Sequence, residues 1–143
     1  IIFEIVNGGY ADMLEFIEKH KNWMDKAAFD LCVSTGDWGV MEYFIEKTDF
    51  RIPSDTAVGQ AVYEGYFEVL TILDKTGYDF SKKPMFLEKA CRAAYGKGTK
   101  SLEFLLERGY SINDKYKGKT LLEHAEEDKN APLVEFIRAR TGN

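Results

Sequence analysis

The apolar positions of the chain recur over a long period as well as at helical spacing. Five segments align when they begin at Ile5, Cys32, Ala61, Ala93 and Ala125, at intervals of 27, 29, 32 and 32 residues. A period of about 20 to 50 residues is typical of architectures built from stacked repeats. The sequence therefore predicts five units, at about 1–25, 26–52, 53–81, 82–113 and 114–143, of which the first is partial.

Each unit contains the pattern of two helices joined by a tight turn. In the second helix, the twelfth and thirteenth positions of every segment are apolar: Phe16-Ile17, Tyr43-Phe44, Ile72-Leu73, Phe104-Leu105 and Phe136-Ile137. A glutamate precedes this pair in four units, as Glu15, Glu42, Glu103 and Glu135. The pattern predicts a buried apolar stripe with the glutamates in solvent. Trp38 and Phe67, where second helices begin, are also predicted to lie in the core.

The first helix of each unit is predicted from apolar and small residues at helical spacing, such as Phe29, Cys32 and Val33. A glycine follows this helix in three units, as Gly9, Gly36 and Gly65, where a helix end favours a residue that tolerates positive φ. Residues typical of helix starts precede or open first helices, as Asp25, Ser54 and Pro84.

This helix–turn–helix pattern resembles the ankyrin repeat. The closest segments are EGYFEVL at 64–70 followed by TGYDF at 76–80, and LEFLLERG at 102–109 followed by YSIN at 110–113. The family's helix-opening Thr-Pro-Leu-His-x-Ala is matched only as TLLEHA at 120–125. The resemblance covers essentially the whole chain, and it implies an all-α, ankyrin-type helical repeat solenoid with short hairpins or turns between the units, in one domain over 1–143. The first two intervals are shorter than the family's period of about 33, so shortened hairpins are expected there.

Composition narrows the class of protein further. The 143 residues are 45% hydrophobic and 30% charged with three prolines, which is typical of a folded, helix-rich chain. Two cysteines, Cys32 and Cys91, are too few for a disulfide scaffold and favour a reducing compartment. We therefore expect an intracellular, cytoplasmic protein. Degenerate repeats of this kind look like those of viral, protist or host-associated bacterial proteins, which extends the expectation to a chain delivered into or expressed within a host cell.

The N-terminal unit lacks the polar outer face that a terminal repeat needs. Ile1, Ile2 and Phe3 would form an uncapped apolar edge. We therefore expect the chain to be a fragment of a longer protein, or to be trimmed at its N-terminus. No apolar run approaches the roughly 20 residues that cross a bilayer, so no membrane contact is expected.

No constellation of residues predicts catalysis. Gly118-Lys119-Thr120 looks like the end of a phosphate-binding loop, but Asn113 stands where that loop needs a glycine. The two histidines, His20 and His124, lie in the first and last units, and no cysteine–histidine cluster has metal-ligand spacing. We therefore expect no catalytic residue, no metal, no cofactor and no enzymatic activity.

The net charge of −5 is unevenly distributed along the chain. Residues 1–80 carry 6 basic and 15 acidic side chains, residues 81–120 carry 10 and 4, and residues 121–143 carry 3 and 5. One interpretation is ordinary solvated helix surface, and the other is a bipolar surface that orients a charged partner. The basic segment 81–120 therefore supports an alternative function, contact with a polyanion or nucleic acid. The acidic total makes nucleic acid the less favoured ligand.

The leading hypothesis is a non-catalytic module that binds another protein through its inner helices and hairpin tips, as the resemblance to ankyrin proteins implies. Aromatic residues are common anchors of such interfaces. Tyr63 and Tyr95 directly follow the pair of small or apolar residues near the end of two inner helices. Further aromatic residues lie in or beside the hairpins. With polar neighbours, the predicted protein-binding residues are Trp23, Ser34, Thr35, Tyr63, Glu64, Tyr78, Tyr95, Tyr110, Tyr116 and Asp128. For Tyr78 and Tyr110, which share a column, packing across successive hairpins is the alternative.

Overall fold

A computed structural model describes residues 25–81 and 83–142, and these residues are mostly helical. The helices are α1 (Lys26–Thr35), α2 (Trp38–Lys47), α3 (Asp55–Glu64), α4 (Phe67–Lys75), α5 (Pro84–Ala93), α6 (Lys100–Glu107), α7 (Leu121–Glu127) and α8 (Ala131–Thr141). An antiparallel ribbon between α6 and α7 pairs β1 (Lys115–Tyr116) with β2 (Lys119–Thr120). The prediction of an all-α chain is confirmed for these residues. The predicted first unit, with Trp23, His20 and Glu15, lies outside them.

The described residues divide into two compact units. The first contains residues 25–61 and 66–78, and the second contains 62–65, 79–81 and 83–142. Helices α1, α2 and α4 therefore belong to the first unit. Helices α5 to α8 and the ribbon belong to the second, and the division falls within α3.

Side-chain caps define where several first helices begin. The Asp25 carboxylate accepts the Ala28 N–H at 2.8 Å, and Ser54 Oγ accepts the Ala57 N–H at 3.3 Å. Pro84 is the first residue of α5, where its missing N–H costs no helical hydrogen bond. At α7 the Thr120 side chain and the third helical residue cap one another's backbone reciprocally. The predicted helix-start residues Asp25, Ser54 and Pro84 are thus confirmed.

The turn between α1 and α2 depends on Gly36. Its φ is 80°, and its N–H donates to the Cys32 carbonyl. The ring of Tyr66 lies so close that a Cβ at position 36 would be 2.8 Å from Tyr66 Cδ1. Glycine is therefore required there both for its backbone conformation and for its small size.

The second helices bury only one column of the predicted apolar pair. The thirteenth position of the aligned segments is buried in each of the four described second helices, as Phe44, Leu73, Leu105 and Ile137. The twelfth position is half-buried, as Tyr43, Ile72, Phe104 and Phe136. Adjacent residues on a helix point about 100° apart, so only one of each pair faces the centre of the core. The half-buried aromatic rings at the twelfth position contact cations instead. The Arg108 guanidinium, for example, lies 3.4 Å from the Phe104 ring centroid.

The predicted wet face of the second helices is largely confirmed. Glu42 and Glu135 are exposed, while Glu103 is half-buried beside Arg140, with 3.6 Å between the charged atoms. The first helices bury their predicted small and apolar residues, with one difference of register. In α7 the buried leucine is Leu121, and the predicted Leu122 is half-buried.

One prediction about an individual core residue is wrong. Trp38 is 48% exposed, because the core face of α2 is formed by Val40, Met41 and Phe44, and position 38 lies roughly a third of a turn from the centre of that face. Both cysteines, Cys32 and Cys91, are buried.

We predict that Gly36→Ala destabilises the first unit more than Gly77→Ala does. Both glycines have a positive φ, of 80° and 88°, but a Cβ at position 77 meets no atom within 4 Å. Gly77→Ala should therefore show only the conformational cost of about 1 kcal/mol, whereas Gly36→Ala adds a clash with Tyr66. Urea unfolding of both variants measures the difference, and equal losses would contradict the packing role of Gly36.

Candidate protein-binding surface

Tyr63 lies in the last turn of α3, half-buried and bordered by two ammonium groups. Lys97 Nζ is 5.3 Å from the centroid of its ring, and Lys89 Nζ is 6.0 Å away. Lys97 Nζ also donates to Glu64 Oε2 at 3.3 Å. These distances are within the range of cation–π attraction, so charged neighbours surround a ring that is still partly accessible.

Tyr95 lies in the turn that follows α5, and 68% of its surface is exposed. Lys97, only two residues further along, places its ammonium over Tyr63. The turn that displays Tyr95 therefore approaches the end of α3, and the two predicted tyrosines belong to one region of the second unit. Sequence reasoning missed Lys89 and Lys97 as neighbours of this site. Lys97 does, however, break the glycine column of the repeat, which was a visible signal.

The polar residues predicted for the site are engaged to different degrees. Ser34 Oγ donates to the Leu31 carbonyl at 3.1 Å, and Thr35 Oγ1 lies 2.7 Å from the same oxygen. Thr35 also bonds Asp37, whose pKa burial raises above its ordinary value although this hydrogen bond acts in the opposite direction. Asp128 is exposed directly after α7. The hydroxyls in the first unit are thus satisfied internally, while Asp128 is open to solvent.

Tyr78 and Tyr110, predicted to face a partner, are buried, with 6% and 5% of their surfaces exposed. Tyr78 Oη donates to Asp55 Oδ1 at 2.6 Å. Tyr110 Oη accepts the Lys83 N–H at 2.9 Å and donates to the Ser81 carbonyl at 3.1 Å. A tyrosine can be buried in this way because its hydroxyl finds partners. The prediction that these two side chains are available to a partner is therefore wrong, and they pack inside the fold.

Tyr116 is also buried, with 6% of its surface exposed, so its predicted availability to a partner is wrong too. Its ring stacks on His124 at a centroid distance of 3.8 Å, and its carbonyl accepts a hydrogen bond from His124 Nε2 at 2.7 Å. Burial raises the pKa of its hydroxyl, which also bonds the Cys91 thiol. Tyr116 thus joins the ribbon to α5 and α7 inside the second unit.

Carboxylates lie beside many cations of the basic segment 81–120. Glu88 Oε1 is 3.2 Å from Lys117 Nζ and 3.8 Å from Arg92 Nη1. Further ion pairs join Lys97 to Glu64, Lys119 to Glu127 and Arg108 to Glu107. Paired cations present a weaker field to a polyanion than free ones do, so the structure does not strengthen the alternative function.

The two thiols are chemically quiet. Burial raises the pKa of Cys32 to about 12, with the nearby Asp37 charge adding to the effect. Burial likewise raises the pKa of Cys91 to about 12. Because the thiolate is the reactive form, neither is a nucleophile near neutral pH. Within 25–81 and 83–142 no group of three or more His, Cys, Asp or Glu residues could hold a metal ion. No helix of this part of the chain is long and apolar enough to cross a membrane.

Comparison of the chain with protein-family models, with curated proteins and with solved structures gives no match. The candidate surface is therefore defined by geometry. Its members in the second unit are Tyr63, Glu64, Tyr95 and Lys97, whereas Asp128 is exposed and stays a predicted contact without an observed link to them.

We predict that Tyr110→Phe lowers the free energy of unfolding by about 1–3 kcal/mol. The change leaves the Lys83 N–H and the Ser81 carbonyl without the hydroxyl they bond, and losing a partner in a buried site carries a cost of this size. Tyr95→Phe is the matched control, because it removes a hydroxyl from an exposed ring and should change stability by less than about 0.5 kcal/mol. Chemical denaturation measures both, and a neutral Tyr110→Phe would contradict the assignment.

We predict that the free energy of unfolding falls as the pH rises from about 9 towards 12. An unfolded thiol titrates near its ordinary pKa of 9.0, whereas Cys32 and Cys91 titrate near 12 in the fold. As the pH rises, the unfolded chain therefore loses its thiol protons before the folded chain does. The contribution of the protonated thiols to the free energy of unfolding is fully present below pH 9 and declines above it. Cys32→Ala should show a shallower decline than wild type when both are unfolded with urea across this range. If the free energy of unfolding depends on pH identically in wild type and Cys32→Ala, the fold does not raise the pKa of Cys32.

Proposed function

We propose that the chain is an ankyrin-type repeat solenoid that binds another protein and has no catalytic function. The recurring local geometry of the helix pairs supports this proposal. The pairs α1–α2, α3–α4 and α7–α8 are each joined by two or three residues, with a positive φ at Gly36, Gly65 and Lys129. The pair α5–α6 has a longer turn, in which Gly98 takes the positive φ.

Two buried polar side chains support a stacked arrangement within the second unit. Ser101 Oγ donates to the Val62 carbonyl, and Asn130 Nδ2 donates to the Cys91 carbonyl at 3.0 Å. Both bonds span 39 residues, and both run from the start of a second helix back to the first helix of the preceding repeat. Equal spans are expected when one repeat is placed on the next by the same operation.

The observation that carries the binding proposal is the pair of accessible tyrosines with a charged rim. Tyr95 is largely exposed and Tyr63 is half-buried. Lys89 and Lys97 lie over the Tyr63 ring, and Lys97 also pairs with Glu64. An aromatic centre with a polar margin is the usual anatomy of a protein interface. We place the contact surface there and at Asp128. Ser34 and Thr35 stay predicted contacts, and the partner's identity is open.

We predict that a Tyr63→Ala, Tyr95→Ala double variant stays folded and loses most of its partner binding. Burial of one tyrosine against a partner contributes about 2 kcal/mol or more, so the double variant should lose at least tenfold in affinity. Affinity capture from the source organism, followed by quantitative mass spectrometry, compares the proteins retained by wild type and variant. The matched control is Glu107→Ala with Glu135→Ala, which removes two exposed charges from second helices and should retain the same partners.

The control also decides the location of the surface. If the glutamate variant loses the partners while the tyrosine variant keeps them, the surface around Tyr63 and Tyr95 is not the contact. Retention of the purified chain on heparin at low salt would favour the polyanion alternative instead.

A further inference from the structure

A groove of about 370 Å³ lies between the two second helices of the first unit. Trp38 and Glu42 from α2 line one side, and Phe67, Glu68, Ile72 and Lys75 from α4 line the other. None of these residues belongs to the inner-helix surface proposed above, so the groove is a separate feature of the molecule.

Trp38 is exposed because the core face of α2 is filled without its ring. The core face of α2 is already closed by Val40, Met41 and Phe44, each of which is at most 1% exposed. Trp38 nevertheless presents 48% of its surface to water, and the ring of Phe67 beside the same groove is half-buried. Tryptophan is the residue type most enriched among the energetic anchors of protein interfaces.

The shape of the groove suits a helix. Along α4 its lining residues Glu68, Ile72 and Lys75 recur at helical spacing and extend over two turns, about 10 Å. The apolar side chains of the lining are Trp38, Phe67 and Ile72, and they lie among these polar residues. A groove of this length between two helices, with an apolar centre and a charged margin, can take one face of an amphipathic helix in helix-in-groove recognition.

The charges at the groove specify the ligand further. Glu42 and Glu68 are both exposed, and no Lys or Arg of the described residues forms an ion pair with either. Among the described residues of the lining, Lys75 is the one cation. A complementary ligand therefore offers a large apolar side chain with lysine or arginine beside it.

We propose that this groove binds a short amphipathic helical segment of a partner protein, with its apolar face on Trp38, Phe67 and Ile72 and its basic residues at Glu42 and Glu68. The site is independent of the tyrosine surface, and it gives the chain a second contact for the same or another protein.

A defined peptide tests the proposal without knowledge of the partner. The probe is a fluorescein-labelled 14-residue helical peptide with leucine on one face and lysine on the other, and its match carries glutamate in place of lysine. The chain contains two tryptophans, so Trp23→Phe leaves Trp38 as the only reporter. We expect the lysine peptide to change the Trp38 emission and to bind at least tenfold more tightly than the glutamate peptide.

Three variants separate the groove from general attraction to an acidic surface. Trp38→Ala, and Glu42→Gln with Glu68→Gln, should each weaken binding of the lysine peptide at least tenfold. Glu107→Gln with Glu135→Gln removes the same charge from second helices of the other unit and should leave the affinity unchanged. If Trp38→Ala lowers stability, Trp38→Phe keeps an aromatic ring and should lose less affinity than the alanine variant.

Other outcomes would overturn the proposal. Equal binding of the two peptides, or equal affinity of wild type and both Trp38 variants for the lysine peptide, would exclude the groove as the site. A Trp38-dependent dimer in analytical ultracentrifugation would show that a second copy of the chain, and not a partner helix, covers it.

Discussion

Each short helix of this chain is stable only because it packs against its neighbour. The described helices have 7 to 11 residues, and isolated helices of that length are marginal in water. They persist because a tight turn returns the chain at once, so that Phe29 and Cys32 of α1 are buried in the same core as Phe44 of α2. At Gly36 this turn needs a positive φ and leaves no room for a side chain beside Tyr66. The turn thus determines where both helices lie.

Helices, caps and the main buried column could be predicted from the sequence, because each is set by residues within about one turn of one another. Phe44 and Leu73 are examples, since helical spacing alone places them inside. Tyr78 and Tyr110 could not be placed in this way. Their burial depends on hydroxyl partners 23 to 29 residues away, which periodicity does not contain. The exposure of Trp38 likewise follows from which neighbours already fill the face of α2.

The same contrast explains the division between stabilising and accessible aromatic residues. The buried tyrosines bond backbone or carboxylate groups and hold loop to helix, as Tyr110 does at Lys83. Tyr95 and Trp38, in contrast, present 68% and 48% of their surfaces to water. Both rings are accessible to other molecules, and the proposed functions rest on this exposed aromatic surface.

The hydroxyl bonds of Tyr78 and Tyr110 have a consequence for how such a chain evolves. Tyr78 reaches back to Asp55 at the start of α3, and Tyr110 reaches back to Lys83 and Ser81 just before α5, so the end of each of these two helix pairs is bonded to the start of the same pair. Both partners of such a hydrogen bond therefore lie in one continuous segment of the chain. Duplication or loss of such a helix pair as a whole would conserve this bond, because the donor and the acceptor lie in the same stretch of chain.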